Sequence, residues 1–463
     1  MTSRLREALH TAATDVPAYP VYERALATAR RSRRRVALAA GAALMLVVLV
    51  GLVLPPGRTP AVDPAANADA ALPDRIALPP IGTLHATDRP RLGSASVIFS
   101  GQAPRLQGWD ENGIVGIVSA DSDRYRIMSI GYEAPAGEKI LLSADGRYVA
   151  RPAGSQDDPR IDIVDLVAGR TRRLPSKVAD SVSTVPLAWS PDGGHLVVRD
   201  DKPVAFNGAT YTSVLSLVTL DGERWTQFAD GAQEAHFGSA VAFAPNGTRL
   251  AYQYGRRVAV TDLDGREISS FGLPAESWLG GKGAWTEDGA LTLVTRQGGS
   301  TTWSLRRVDP RTGRDTDPLR LPGVTGVTAI RLLGWGPDGS AVVVAYQPEP
   351  LSPDRFDQPL EMDQRTAYPN VRSVRVLALS PGAAAPRAMM TAPEQVLAVD
   401  VADGVISGGR IRDARPPGGV GGRFWFWTVL ITVLVTGIAA YRGREGLSRW
   451  INERQASRSP ELS

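Results

Sequence analysis

The chain of 463 residues contains no cysteine. That excludes disulfides, thiol nucleophiles and thiolate metal ligands. Histidine is also scarce, with His10, His85, His195 and His236 widely separated, so no pair has metal-ligand spacing. Lysine is nearly absent: Lys139, Lys177, Lys202 and Lys282 stand among 52 basic residues. This preference for arginine points to GC-rich coding and hence to a bacterial source. No nucleophile elbow, zinc-binding HExxH, Walker loop or dinucleotide fingerprint is present. Asp157 and Asp158 with Asp162 and Asp165 suggest a cation site, but residues 162 and 165 differ in parity and point to opposite faces of one strand. The pair Asp200 and Asp201 reads as a solvated loop. The expectation is therefore no catalytic residue, no cofactor, no metal and no enzyme.

What the chain has is a repeated phrase. Residues 188–198 read AWSPDGGHLVV. Variants occur as GWDENGIVG at 108–116, LSADGRYVA at 142–150, AFAPNGTRLAY at 242–252, AWTEDGALTLV at 284–294, GWGPDGSAVVVAY at 334–346 and VDVADGVIS at 399–407. Each is an apolar strand end, a turn and a β-rich run. In Ser-Pro-Asp-Gly, Pro191 presets φ, Asp192 bonds back to the backbone and Gly193 supplies a positive φ, which closes a hairpin. The turn glycines at 113, 146, 193, 247, 289, 339 and 404 are spaced by 33 to 65 residues. Four-stranded propeller blades repeat at roughly 40–50 residues. The runs 161–166, 214–218, 257–262 and 374–379 lack helical periodicity and read as further strands at matching places. Seven copies predict an all-β fold, a β-propeller of seven blades over residues 94–415. Six is the alternative if the short first interval or the last copy is not a true blade. Strand residues near Ser94 to Phe99 are expected to complete the ring beside 399–411.

The Trp-Ser-Pro-Asp-Gly-x-x-Leu-Val-Val phrase resembles the WD40-like repeat of TolB-type β-propellers over about residues 94–410. The resemblance implies fold and little about function, because propellers host many activities. Unlike the TolB type, this chain shows no separate soluble N-terminal domain and has apolar segments at both ends, so a role in a Tol-Pal system is not expected.

Residues 36–54 and 424–441 are uncharged runs of 19 and 18 residues. A helical span takes about 17–25. Arginines 30, 31, 33, 34 and 35 precede the first run, and Arg442 and Arg444 follow the second. Basic flanks stay cytoplasmic, so two transmembrane helices flank the propeller, both termini lie inside and the propeller lies outside a bacterial plasma membrane. Trp425, Trp427 and Tyr441 fit interfacial positions. An uncleaved anchor is preferred to a signal peptide, and Ser32 to Val36 also resembles a twin-arginine export signal. The tails 1–35 and 442–463 carry +5 and +2, leaving −3 for 55–423 out of the chain total of +4. The propeller thus has no basic footprint and no nucleic-acid partner is expected.

Residues 55–93 begin as a Pro/Ala-rich tether and 416–423 form a Gly/Pro link. Leu5, Ala8, Leu9, Ala12 and Ala13 form a helical apolar stripe in the N-terminal tail. The tail loosely resembles the N-terminal region of membrane proteins that accompany extracytoplasmic-function sigma factors. The expected function is a non-enzymatic, membrane-anchored propeller binding a protein or envelope ligand. The alternative is transmembrane signalling through a tail that binds a cytoplasmic regulator such as a sigma factor. An enzyme using the propeller channel is the third class.

Overall fold

The computed structural model describes residues 70–80, 82–101, 113–130, 134–203, 211–232, 240–298, 300–316, 318, 320–348, 371–417 and 427–438. The chain divides into two units, 59–424 and the two ends together.

Within the larger unit the described strands form six blades, not seven. Five are contiguous in sequence: 141–175, 183–232, 241–272, 277–308 and 329–391. The fifth blade has three strands, with a single antiparallel bridge from Val308 to Asp315 marking the place of the fourth. The remaining blade, counted here as the first, is composite. Ala95–Gly101, Ile114–Ser119 and Tyr125–Ser129 supply three strands, and Val396–Val401 supplies the fourth from the other end of the domain. Phe99 pairs with Val399 in that joint. The first strand of each contiguous blade and Val396–Val401 all line the central cavity, so the strand from the distal segment is innermost.

The turn chemistry explains which copies are blades. At Gly146, Gly193, Gly247, Gly289 and Gly339 the backbone adopts φ between +68° and +83°, and each glycine closes the hairpin between the first and second strands of its blade. In the third blade Gly193 N donates to Ser190 O, while Asp192 accepts from Ser190 Oγ and Gly194 N. Ser143 with Asp145, and Thr286 with Asp288, repeat the hydroxyl-to-carboxylate bond. The copy at 399–407 is a true first strand, but its turn has no hairpin to close. The next strand of that blade comes from residues 95–101, and the chain instead enters a short helix, Asp403–Gly408. Gly113 is the misread copy: it precedes the third strand of its blade, not the second.

The core is distributed in layers between successive blades. Leu141, Ile161 and Ile163 pack with Trp189 and Leu196 between blades two and three. Val185 and Leu187 meet Val241 and Phe243 between three and four. Ala242 and Val258 meet Trp285 and Leu291 between four and five. The largest cluster joins blades five, six, one and two. The repeat tryptophans also stitch blades together. Trp285 Nε1 donates to Ala242 O, and Trp335 Nε1 to Gly283 O, each at 3.0 Å and each to the preceding blade. Beside the ring, Leu72–Pro73 pairs in parallel with Ile411–Arg412, so the inbound and outbound segments of the domain lie side by side.

Residues 36–54 lie outside the described residues. Of 424–441 only 427–438 is described, as a helix with Trp427, Ile431, Leu434, Val435 and Ile438 exposed. Among the described residues no helix is long and apolar enough to cross a membrane.

Candidate functional site: the central channel

The inner strands of all six blades converge on a cavity of about 90 Å³. Its wall has two characters. Blades three and four present Leu187, Ala188, Trp189, Val241 and Phe243. Opposite them, residues of blades one, five and six, with the segment before blade two, bring together Glu138, Lys282, Arg331, Tyr346, Asp400 and Asp403.

The charged wall is a network across blades. Lys282, in the turn after Ser277–Leu279, places Nζ 2.9 Å from Asp400 and 2.7 Å from Asp403, and donates to Val401 O. Burial works against the ammonium, but the two carboxylates outweigh it and hold its pKa above the ordinary lysine value. Asp400 is 1% exposed, whereas 45% of the Asp403 side chain is accessible, which places Asp403 at the rim. One Asp400 oxygen also accepts from Leu142 N, tying blade one to blade two. Arg331 spends its guanidinium on Gly137 O, Val399 O and Tyr346 Oη. Despite burial, Tyr346, Asp400 and Glu138 keep it above its ordinary pKa. Tyr346 in turn donates to Glu138 Oε1 at 3.4 Å, and burial pushes its phenol up to about 12.

Glu138 differs from the others. It is 9% exposed, and its Oε2 has no hydrogen-bond partner. Burial pushes its pKa above the ordinary carboxylate value, against the opposing pull of Arg331 and Lys139. Trp189 lines the same cavity, and its Nε1 is also unpartnered, in contrast to the bridging indoles of Trp285 and Trp335. Buried polar atoms without partners are rare and costly, which makes such a cavity a candidate site.

The residues singled out by sequence lie elsewhere. His85 is half-buried, with Nδ1 2.9 Å from Thr87 Oγ1, and burial holds its imidazole below the ordinary value. His195 begins a strand, 4.0 Å from Asp192. His10 and His236 lie outside the described residues. Asp162 pairs with Arg151, while Asp165 pairs with Arg147 and accepts from the Val167 and Ala168 amides, so the two carboxylates serve different partners. Asp200 corrects the reading of a solvated loop. It is fully buried in the strand His195–Pro203, where its Oδ1 accepts from Ser176, Ser181 and Thr184. Asp201, the next residue, faces the other way and pairs with Arg199 and Ser213. Among the described residues no group of three or more His, Asp or Glu could hold a metal ion.

No protein-family model matches the chain. No curated protein matches it either. Solved propellers similar to it include TolB from Acinetobacter baumannii, with 16% identity, coverage of 62% of this chain and 61% of that one, and a TM-score of 0.36. Oligogalacturonate lyase from Vibrio parahaemolyticus shows 11% identity over 70% and 80%, with a TM-score of 0.40. The periplasmic gluconolactonase of Pseudomonas aeruginosa shows 16% over 66% and 84%, at 0.37. The chain thus spans less than two thirds of the length of the Acinetobacter protein. At these scores the similarities add nothing to the strand pairing, which by itself establishes the six-bladed propeller.

Proposed function

We propose that the protein is a non-enzymatic binding propeller, held at a bacterial membrane by residues 36–54 and 424–441, that recognises a protein or envelope ligand at its central channel. The observation that carries this reading is the division of the channel wall. The cations Lys282 and Arg331 are committed to groups of other blades, and an apolar face stands opposite them. Concave, largely apolar sites with a few convergent polar groups are where proteins take ligands. Two experiments test it. Reporter fusions at Ser3, Gly231 and Ser463 should read inside, outside and inside, and a cytoplasmic signal at Gly231 would end the membrane reading. Proximity labelling from the outer face should recover partners that Ala240→Arg, which puts a long side chain at a position lining the cavity, no longer recovers. An unchanged set would remove the channel from recognition.

One observation favours a second reading. A buried carboxyl with a raised pKa in a cleft is a common feature of acid catalysts, and Glu138 meets that description. A channel enzyme would lose turnover of its substrate with Glu138→Gln, so a hydrolase and lyase screen of wild type against this variant decides between the two. The signalling alternative rests on the tail stripe of Leu5, Ala8, Leu9, Ala12 and Ala13, outside the described residues. Pull-downs with Leu5→Asp and Leu9→Asp combined test it, because charges on that stripe would abolish docking.

A further inference from the structure

The charged wall is unbalanced. Three carboxylic acids, Glu138, Asp400 and Asp403, share the cavity with two cations, Lys282 and Arg331. The cations are largely engaged within the protein: Lys282 has three acceptors, and Arg331 spends three of its five N–H donors on its neighbours. Lys282 is held by Asp400, Asp403 and Val401 O, while Arg331 uses Nε and both terminal nitrogens on Tyr346, Gly137 and Val399. The acids are less fully engaged. Asp400 and Asp403 share Lys282, whereas Glu138 receives one long bond from Tyr346 and keeps Oε2 unpartnered although nine-tenths buried. A buried carboxylate in that state is costly unless an opposite charge arrives.

Resting on the reading of the channel as a binding site, we propose that the cavity takes a small organic cation, an alkylammonium whose charge is met by Glu138 and whose short apolar body lies against Leu187, Val241 and Phe243. The arriving charge brings the carboxylic acids and cations into balance. The apolar wall supplies the rest of the affinity at roughly 25 cal/mol per Å² buried. The cavity volume of about 90 Å³ admits only a few heavy atoms, so the part of the ligand that enters it is a short alkylammonium.

Binding is then linked to a proton. Glu138 faces Arg331 and Tyr346 from blade six and Lys139 on its own segment, with Lys282, Asp400 and Asp403 completing the wall. Burial favours the protonated acid in the empty cavity. A cation favours the carboxylate, so its binding expels the proton, and affinity rises by up to about tenfold per pH unit while the free protein holds Glu138 protonated.

The test is titration calorimetry on the full-length chain in detergent with three four-carbon probes: n-butylammonium, n-butanol and butyrate. Expected is saturable binding of n-butylammonium, binding of n-butanol at least about tenfold weaker, none of butyrate, and an ammonium affinity that climbs with pH. Glu138→Gln, checked for an unaltered unfolding midpoint at low pH, should lose both the pH slope and at least about tenfold in affinity above the wild-type titration. If Glu138→Gln is misfolded, Ala240→Arg serves instead and should block n-butylammonium by occlusion. Butyrate or n-butanol binding as well as the amine would overturn the cation while leaving the channel a binding site. A pH slope retained in Glu138→Gln, amine binding that survives Ala240→Arg, or no saturable binding of any probe would overturn the proposal. Whether the channel recruits a partner is decided separately by the labelling comparison.

Discussion

Lys282 Nζ and Asp400 Oδ1 stand 2.9 Å apart, linking the fifth blade to the strand that closes the ring. Each residue should depend on the other. Asp400 is buried, and without the ammonium its charge would face Asp403 and only a distant Arg331, at 4.0 Å. Lys282→Met should therefore destabilise the domain by about 3–5 kcal/mol. Lys282→Met combined with Asp400→Leu should cost less than the single change, because no buried charge is then left unpaired. Chemical denaturation of the two variants beside wild type checks this, and a double variant as weak as the single one would show that packing, not charge, governs the joint.

Two glycines at the same place in the repeat should respond differently to a methyl group. Gly193 has φ +70° and open space around its missing Cβ, so Gly193→Ala should cost only the left-handed strain, about 1 kcal/mol. Gly146 has φ +72°, but a Cβ there would sit 2.0 Å from Ala95 O, a backbone atom of the neighbouring blade. Gly146→Ala should cost at least about 3 kcal/mol, since strain and overlap add. Unfolding midpoints of the two variants measure the gap between them.

Much of the ring was legible because its turns are local. Asp-Gly or Asn-Gly, with a hydroxyl two residues before the Asp at 143, 190 and 286, reports a hairpin from four adjacent residues, and the turns at 146, 193, 247, 289 and 339 needed nothing from elsewhere in the chain. The count failed where position within a blade mattered. Gly113 carries turn-like neighbours yet precedes a third strand, and Gly404 keeps the repeat at a place where the chain no longer makes a hairpin. The channel was not legible at all. Glu138, Lys282, Arg331 and Asp400 come from separate parts of the ring, and no spacing links them, because closure of the ring is what brings them together. Asp200 was hidden by Asp201: on a strand, consecutive residues face opposite ways, and one of two adjacent acids can be buried.

Stability should also depend on pH through Glu138. Its folded pKa lies above the ordinary value of 4.5 because burial disfavours the charge. The folded state then binds more protons than the unfolded chain between those two values, so this contribution is full below 4.5 and is lost as pH rises through the raised pKa. Wild type should lose stability relative to Glu138→Gln on moving from about pH 4 to about pH 8. Parallel curves for the two proteins would contradict the assigned shift.

The buried hydroxyl cluster around Asp200 gives a further contrast. Asp200→Ala removes the acceptor for Ser176, Ser181 and Thr184, with a cost of about 1–3 kcal/mol. Asp200→Asn keeps an acceptor and removes a charge that burial already disfavours, so it should cost less. Denaturant titration at neutral pH compares them, and equal losses would mean that the charge itself is needed.

The composite blade imposes an order of events on the newborn chain. Residues 95–129 are made before the five contiguous blades, yet the strand they require, Val396–Val401, is made only after them. Until then that three-stranded sheet keeps the innermost edge of Ala95–Gly101 open, the kind of edge that pairs with other chains. The joint also has very long sequence separation, which slows its formation. The interval between early synthesis and late closure is thus when the protein is most exposed to mispairing, and any helper that shields this edge would act on the ribosome-bound or freshly released chain, not on the finished ring.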